Sequence, residues 1–392
     1  MYLTPDEERM LAGEEGEAVR KSMEILLAIG KIYGAGRFIP VKSAQVSGVS
    51  YKTIGDAGLE YLEDLSKDAR VRIRTTLNPP GMDMEQWKEL YVPEDFAEKQ
   101  MRILRAYSDM GIELSCTCTP YLAGNEPKKG EHIAWAESSA VSFANSVLGA
   151  RTNREGGPSA LAAAITGRTP EFGLHLDENR KASIVFDLSF EPDYFDFALI
   201  GVVAGRIAGG RVPYFRGIKS ASRDSLKSLA AAMAASGSVA LYHVEGITPE
   251  YAVALPDDRI ERQTISREML EAERERMSTT DDIELITVGC PHSSPEELRN
   301  IAAFLKGKKR RGKTELWVYT SRAVKEREKE AVRIIEQYGR VVADTCMVVS
   351  PLEVRFHSVG TNSGKAASYL PGLCHQDVLF ADLKTLLGMV VE

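Results

Sequence analysis

The sequence predicts an α/β fold made of several α/β/α units with largely parallel sheets. Short apolar runs of strand length alternate with segments whose apolar residues recur at helical spacing. The alternation restarts near Ser183 and again near Ile283. At 392 residues the chain exceeds one ordinary core, so two or three domains are expected. The expected divisions are an N-terminal α/β domain over 1–182, a middle α/β domain over 183–280 and a C-terminal, cysteine-bearing α/β domain over 281–392.

The C-terminal unit is the most legible. Residues 283–288 form an apolar run that reads as a buried strand and stops at Gly289-Cys290-Pro291-His292. A helix then starts, with Ser294 as N-cap, Pro295 at the first position and Glu296 and Glu297 at the positive end of the dipole. Leu298, Ile301, Ala302 and Leu305 give it an apolar stripe. A basic loop leads to a strand over 316–319, a second helix closing near Gly339, and a third strand over 340–343 that runs into Asp344-Thr345-Cys346. Right-handed crossovers put all three carboxyl ends on one edge, where open α/β sheets bind ligands. Cys290 and Cys346 therefore form a site hypothesis.

The N-terminal part offers further candidates. Thr4-Pro5-Asp6-Glu7 starts a helix, and a second helix spans about 15–33. The strand-like stretch 37–41 enters a Gly- and Ser-rich loop over 43–52, whose free N–H groups can cradle a phosphate or carboxylate or serve as an ordinary turn. A helix follows over 56–65, then a strand over 71–75 ending in Asn78-Pro79-Pro80, where Asn78 is placed to hydrogen-bond at a strand's carboxyl end. The helix over 96–110 leads to a strand ending in Cys116-Thr117-Cys118. On extended chain both thiols would share a face, with one a ligand and the other a small core residue. A helix over 135–145 carries Glu137 beside Ser138 near its start. Arg151 and Arg154 sit in a polar, glycine-rich loop, where their guanidiniums suit anions or simply a surface turn.

The middle unit is expected to hold a strand over 184–188, a helix over 194–208, a helix over 225–236, a strand ending in His243 and a charged helix over 261–277. His243 reads as a satisfied polar residue. Near the C-terminus, Ser363-Gly364-Lys365 precedes a helix. The stretch fails as a P-loop, because Ala366 stands where a Ser or Thr would hold magnesium. A helix start carrying Lys365 remains a candidate anion site. Cys374, beside His375, reads as structural.

Composition excludes several classes. A net charge of −7 argues against nucleic acid, and no segment reads as a membrane span or a signal peptide. Five cysteines without secretory context read as reduced thiols or ligands in a cytoplasmic protein. Three of them at separate strand ends, without a Cys-x-x-Cys pair, are poor evidence for a structural zinc; such a set can hold a cluster with one open iron or be ordinary buried cysteines.

Motifs along almost the whole chain carry a family resemblance. They are Thr75-Thr-Leu-Asn-Pro-Pro-Gly-Met-Asp83, Cys118-Thr-Pro-Tyr121, Trp135-Ala-Glu-Ser138, the run from Asn145 to Gly157, Gly289-Cys-Pro-His-Ser293, Asp344-Thr-Cys-Met347 and Thr361-Asn-Ser-Gly-Lys365. The chain resembles the large, catalytic subunit of aconitase X, the divergent branch of the aconitase superfamily. The resemblance implies an aconitase-like fold around a central cleft. It implies an iron-sulfur cluster, of [4Fe-4S] type with one open iron, held by Cys118, Cys290 and Cys346. It implies dehydration of (R)-5-phosphomevalonate to trans-anhydromevalonate 5-phosphate in a modified mevalonate pathway. The alternatives are dehydration of cis-3-hydroxy-L-proline, or a non-catalytic metal-binding scaffold. A separate small subunit carrying the swivelling domain, and the serine that acts as base, is the implied partner. Gly48, Val49, Ser50, Asn78, Pro79, Arg151 and Lys365 are then expected to bind substrate, with Glu137 and Ser138 as the catalytic pair. Gln45 departs from the family pattern, which leads one to expect histidine there.

Overall fold

The computed structural model describes residues 1–255 and 259–392. Three parallel sheets organise the chain. The first has the order Arg74–Leu77, Ser43–Val46, Ala134–Trp135. The second runs His243–Val244, Pro213–Arg216, Ile184–Leu188, Arg262–Ile265. The third runs Arg340–Val342, Glu315–Tyr319, Leu285–Val288, Ser358–Thr361, Asp377–Phe380. Every pairing in these sheets is parallel; an antiparallel pair, Phe38–Pro40 with Arg168–Pro170, lies apart from them. The α/β class with largely parallel sheets is what the sequence predicts. Among the described residues no helix is long and apolar enough to cross a membrane.

The third sheet is built as its sequence dictates. Leu285, Ile286 and Val288 are buried on both faces of the central strand, each contributing about 1.5–3 kcal/mol of hydrophobic stabilisation. The helix Pro295–Leu305 opens with a full capping box: the Ser294 hydroxyl accepts from the Glu297 N–H, and the Glu297 carboxylate accepts from the Ser294 N–H at 2.7 Å. The next crossover is two helices, Arg322–Arg327 and Lys329–Ile335, broken at Glu328. The strand order then reverses, because Ser358–Thr361 returns to the other side of Leu285–Val288. Such a switch point leaves a crevice at the carboxyl ends. Cys290 follows one of its strands and Lys365 the other.

The first sheet also switches, around Ser43–Val46. Here the structure corrects the sequence reading: the first four residues of the expected 43–52 loop are its central strand, all buried. The strand expected over 71–75 is shifted to Arg74–Leu77, and the one before Cys116 is reduced to a single bridge between Thr76 and Glu113. In the second sheet, the charged segment expected to be wholly helical begins as the edge strand Arg262–Ile265 before the helix Arg267–Met277.

Packing between units fixes the site. The helices Tyr194–Ala208 and Arg223–Gly237 of the second unit lie against the helix Gly364–Cys374 of the third. A Cβ on Gly364 would meet Val202 at 2.8 Å, Ala232 at 2.9 Å and the Ala198 carbonyl at 3.0 Å. Only glycine permits this approach, which sets the position of Lys365 one residue later. The carboxyl edges of the first and third sheets face a common cavity.

Candidate active site

The cavity measures about 530 Å³. From the first unit it receives Asn78, Pro79, Cys118, Glu137 and Ser138; from the third, Cys290, Cys346 and Lys365. Eight of the residues singled out in the sequence are thus brought to one place.

Glu137 is the hub. It caps the helix Ser138–Phe143, its carboxylate accepting from the Ser139 N–H at 3.2 Å and hydroxyl at 2.8 Å. Asn78 Nδ2 donates to its other oxygen at 3.0 Å, and Lys365 Nζ forms a short ion pair with the oxygen that Ser139 bonds. Burial alone would raise the Glu137 pKa, but the Lys365 charge and these hydrogen bonds prevail and hold it at about 2. Burial disfavours the Lys365 ammonium, but Glu137 and the neighbouring thiols raise its pKa above the ordinary value. The pair is charged. A cation in a helix's first turn opposes the dipole, so Lys365 depends on this partner.

Gln45 holds the hub from behind. Fully buried, it donates to the Asn78 side-chain amide oxygen Oδ1 at 3.3 Å and the Thr117 backbone carbonyl at 3.1 Å, and accepts from the Glu137 N–H at 3.3 Å. Because an ionised Glu137 can only accept, Asn78 must turn its amide nitrogen toward it. Gln45 thus reaches Asn78, the Cys118 loop and Glu137 at once.

Three loops present the thiols, each with left-handed backbone just before the cysteine: Cys116 (φ 45°), Gly289 (φ 97°) and Asp344 (φ 65°). At Gly289 a Cβ would lie 2.1 Å from the Tyr319 carbonyl, so that position demands glycine. At Cys116 the left-handed turn breaks the extended path, so Cys116 and Cys118 do not share a face. Cys118 lines the cavity, whereas Cys116 packs into the core of the first unit. Burial pushes the Cys290 thiol up to about 12 and raises those of Cys118 and Cys346, with the Lys365 charge opposing. A bound cation would be needed to hold them as thiolates. Among the described residues no three His, Cys, Asp or Glu side chains converge as a single ion requires. The three cysteines line one cavity from separate loops, a donor set that suits a polynuclear cluster.

The remaining predicted residues fall outside the lining. Arg151 turns away: it donates to the His175 carbonyl at 3.1 Å and forms a short ion pair with Asp177. Arg154, three residues on, lines the cavity instead, with the Ala234 carbonyl at 3.4 Å. The Val49 side chain is buried and the Ser50 hydroxyl donates to the Val349 carbonyl at 2.8 Å, so neither points into the space. What Gly48, Val49 and Ser50 offer is backbone: their N–H groups have no acceptor among the described residues. Lys52, just after them, lines the cavity and ties the first unit to Glu353 at 2.8 Å. Cys374 is buried beside Lys52, and His243 bonds the Arg180 carbonyl at 2.9 Å; both are structural.

His292 is the residue the sequence reading left without a role. It is fully buried two positions after Cys290, bonding Thr117 Oγ1 at 2.9 Å and the Thr345 carbonyl at 2.9 Å. Its place in a Gly-Cys-Pro-His turn at a strand's end was the available signal.

The family described as aconitase X first domain matches residues 1–178, its second domain 182–275 and its third domain 283–392. The chain is 53% identical to the phosphomevalonate dehydratase large subunit of Methanothermobacter thermautotrophicus, over 99% of this chain and 98% of that protein. It is 39% identical to the cis-3-hydroxy-L-proline dehydratase of Pseudomonas aeruginosa, over 96% of this chain and 68% of that one. A crystal structure of Thermococcus kodakaraensis aconitase X in its holo-form is 49% identical and covers 100% of both chains, with a TM-score of 0.93. With three family domains matched in order along it, this chain belongs to the aconitase X family.

Proposed function

We propose that the chain is the large subunit of a phosphomevalonate dehydratase, a hydro-lyase that converts (R)-5-phosphomevalonate to trans-anhydromevalonate 5-phosphate in a modified mevalonate pathway. The observation that carries the reading is one cavity that joins three thiols to a buried, charged Glu137–Lys365 pair. Four relatives bearing that name are 49–53% identical and a fifth, from Aeropyrum pernix, is 39% identical, against 35–39% for the hydroxyproline dehydratases.

Cys118, Cys290 and Cys346 would hold an iron-sulfur cluster; a three-cysteine set suits a [4Fe-4S] core with one iron left open. When bound, such a group supplies a Lewis-acid position for the departing hydroxyl. Lys365 meets anionic oxygen of the substrate. Arg154 replaces Arg151 as the guanidinium that takes its phosphate at the cavity. The N–H groups of Gly48, Val49 and Ser50, without an acceptor among the described residues and just outside the lining, are the backbone donors closest in sequence to Lys52. Asn78 and Pro79 shape the wall. A carboxyl held at about 2 is a weak base for a carbon-bound proton, so Glu137 orients, with Ser138 beside it, and the abstracting base is assigned to the small subunit. Five free cysteines suit a reducing cytoplasm.

The test is anaerobic co-expression with the small subunit, iron reconstitution and assay of both substrates. Turnover of (R)-5-phosphomevalonate, abolished by Cys118→Ala, is expected. Turnover of cis-3-hydroxy-L-proline alone would overturn the substrate, and turnover of neither by a protein with an intact cluster would leave a non-catalytic scaffold.

A further inference from the structure

We propose that His292 is a positioning residue that clamps the three cysteine-bearing loops in register. The inference rests on the reading of Cys118, Cys290 and Cys346 as the ligand set.

The ring reaches the other two loops through their threonines. A backbone carbonyl can only accept, so the bond to the Thr345 carbonyl requires a proton on Nε2 of His292. In the neutral ring, Nδ1 must then accept, and the Thr117 hydroxyl donates to it. Thr117 precedes Cys118 and Thr345 precedes Cys346, while His292 belongs to the Cys290 loop. One imidazole thus bridges loops that are far apart in sequence. The backbone of His292 adds two further ties. Its N–H donates to Cys118 Sγ at 3.2 Å, and its carbonyl accepts from the buried Lys227 Nζ at 3.2 Å. The Lys227 bond fastens the clamp to the helix Arg223–Gly237 of the second unit. The ring is fully enclosed, so water cannot replace either of its bonds. Groups behind metal ligands act in this way: they fix the ligands' orientation without touching the metal.

The geometry distinguishes substitutions. The two polar atoms of a glutamine amide are spaced like the two ring nitrogens, and one accepts while the other donates. His292→Gln can therefore receive the Thr117 hydroxyl and donate to Thr345. His292→Leu fills the space and can do neither. Thr117→Val removes the hydroxyl that donates to the ring and, with it, the acceptor of the Thr119 N–H at 3.1 Å.

The experiment compares the full chain with these three variants after anaerobic reconstitution, reading iron and sulfide per chain and the visible and electron-paramagnetic spectra. His292→Leu is expected to lower apparent iron affinity roughly 10- to 100-fold, Thr117→Val by less, and His292→Gln to preserve content and spectrum. A Leu variant that loads like the parent with an unchanged spectrum would overturn the clamp. Hydrogen exchange on the iron-free chain decides independently of cofactor. Amides near Thr117–Thr119 and Thr345–Met347 should exchange about 10-fold faster in His292→Leu, and those near Thr345–Met347 also in Thr117→Val, as if roughly one hydrogen bond were lost, but not in His292→Gln. Unaltered exchange in both loops would sink the proposal. If the parent takes up no cluster yet shows this pattern, the clamp stands and the cofactor reading fails.

Discussion

Two buried ion pairs in this molecule resemble each other in burial and differ in what they leave unspent. Arg180 and Glu250 lie 2.7 Å apart with side chains 5% and 8% exposed. Arg180 also donates to the carbonyls of Leu174, Asn145 and Ala150 and to the Asn145 side chain. Its guanidinium has no hydrogen left to offer. Lys365 and Glu137 are 11% and 10% exposed. Beyond Glu137, the Lys365 ammonium finds only the Ser139 hydroxyl at 3.4 Å among the described residues, and it faces the cavity. A saturated cation belongs to the architecture; one with a donor in reserve beside a cavity belongs to a site.

That difference can be broken by mutation. Arg180→Met strands the Glu250 carboxylate and three carbonyls, and should cost about 3–5 kcal/mol in urea unfolding while the surviving folded enzyme keeps its turnover number. A cost under about 1 kcal/mol would erase the distinction. Lys365→Met should do the reverse, raising KM about 10- to 100-fold through a lost charged hydrogen bond, with a smaller loss of stability. Glu137 would still be held by Asn78 and Ser139 and wetted by the cavity. Unchanged kinetics would remove Lys365 from the site.

A third effect is smaller and set by pH. The folded Glu137 carboxyl sits at about 2 against an ordinary 4.5. As pH falls between those values the unfolded chain binds the proton first, so stability present above about 4.5 is lost on the way to about 2. Urea midpoints from pH 5 to 3 should fall more steeply for the parent than for Glu137→Gln; parallel slopes would show that the pair does not hold the carboxyl down. Smallest of all is Arg151→Ala, whose ion partner Asp177 is 85% exposed, although Arg151 also holds the His175 carbonyl and lies 3.9 Å from the buried Glu250. KM should not move, and the unfolding free energy should fall by no more than about 1–2 kcal/mol. A raised KM would return Arg151 to the substrate.

Much of this was legible where local chemistry agreed with the fold. The Ser294–Glu297 cap, the apolar run before Cys290 and the lysine after Ser363 each announce their element without help from the rest of the chain. Ser43–Val46 did not, because a polar Ser-Ala-Gln-Val run becomes a central strand only when Gln45 finds Asn78, Thr117 and Glu137. Arg262–Ile265 hid in a charged stretch since an edge strand tolerates exposed polar side chains. Arg151 and Arg154 look alike in the sequence; only the turn between them decides which one faces the cavity. His292 could not be weighed until Thr117 and Thr345 stood on either side of it.

The way the cavity draws on distant stretches has a consequence for biosynthesis. A ribosome delivers Cys118 early, while the loops that carry Cys290 and Cys346 and the anchor Lys365 come from the last third of the chain. Until then the first thiol has no companions, and Glu137 has no cation. The proposed cofactor can therefore be captured only after the loop of Cys346 has left the ribosome.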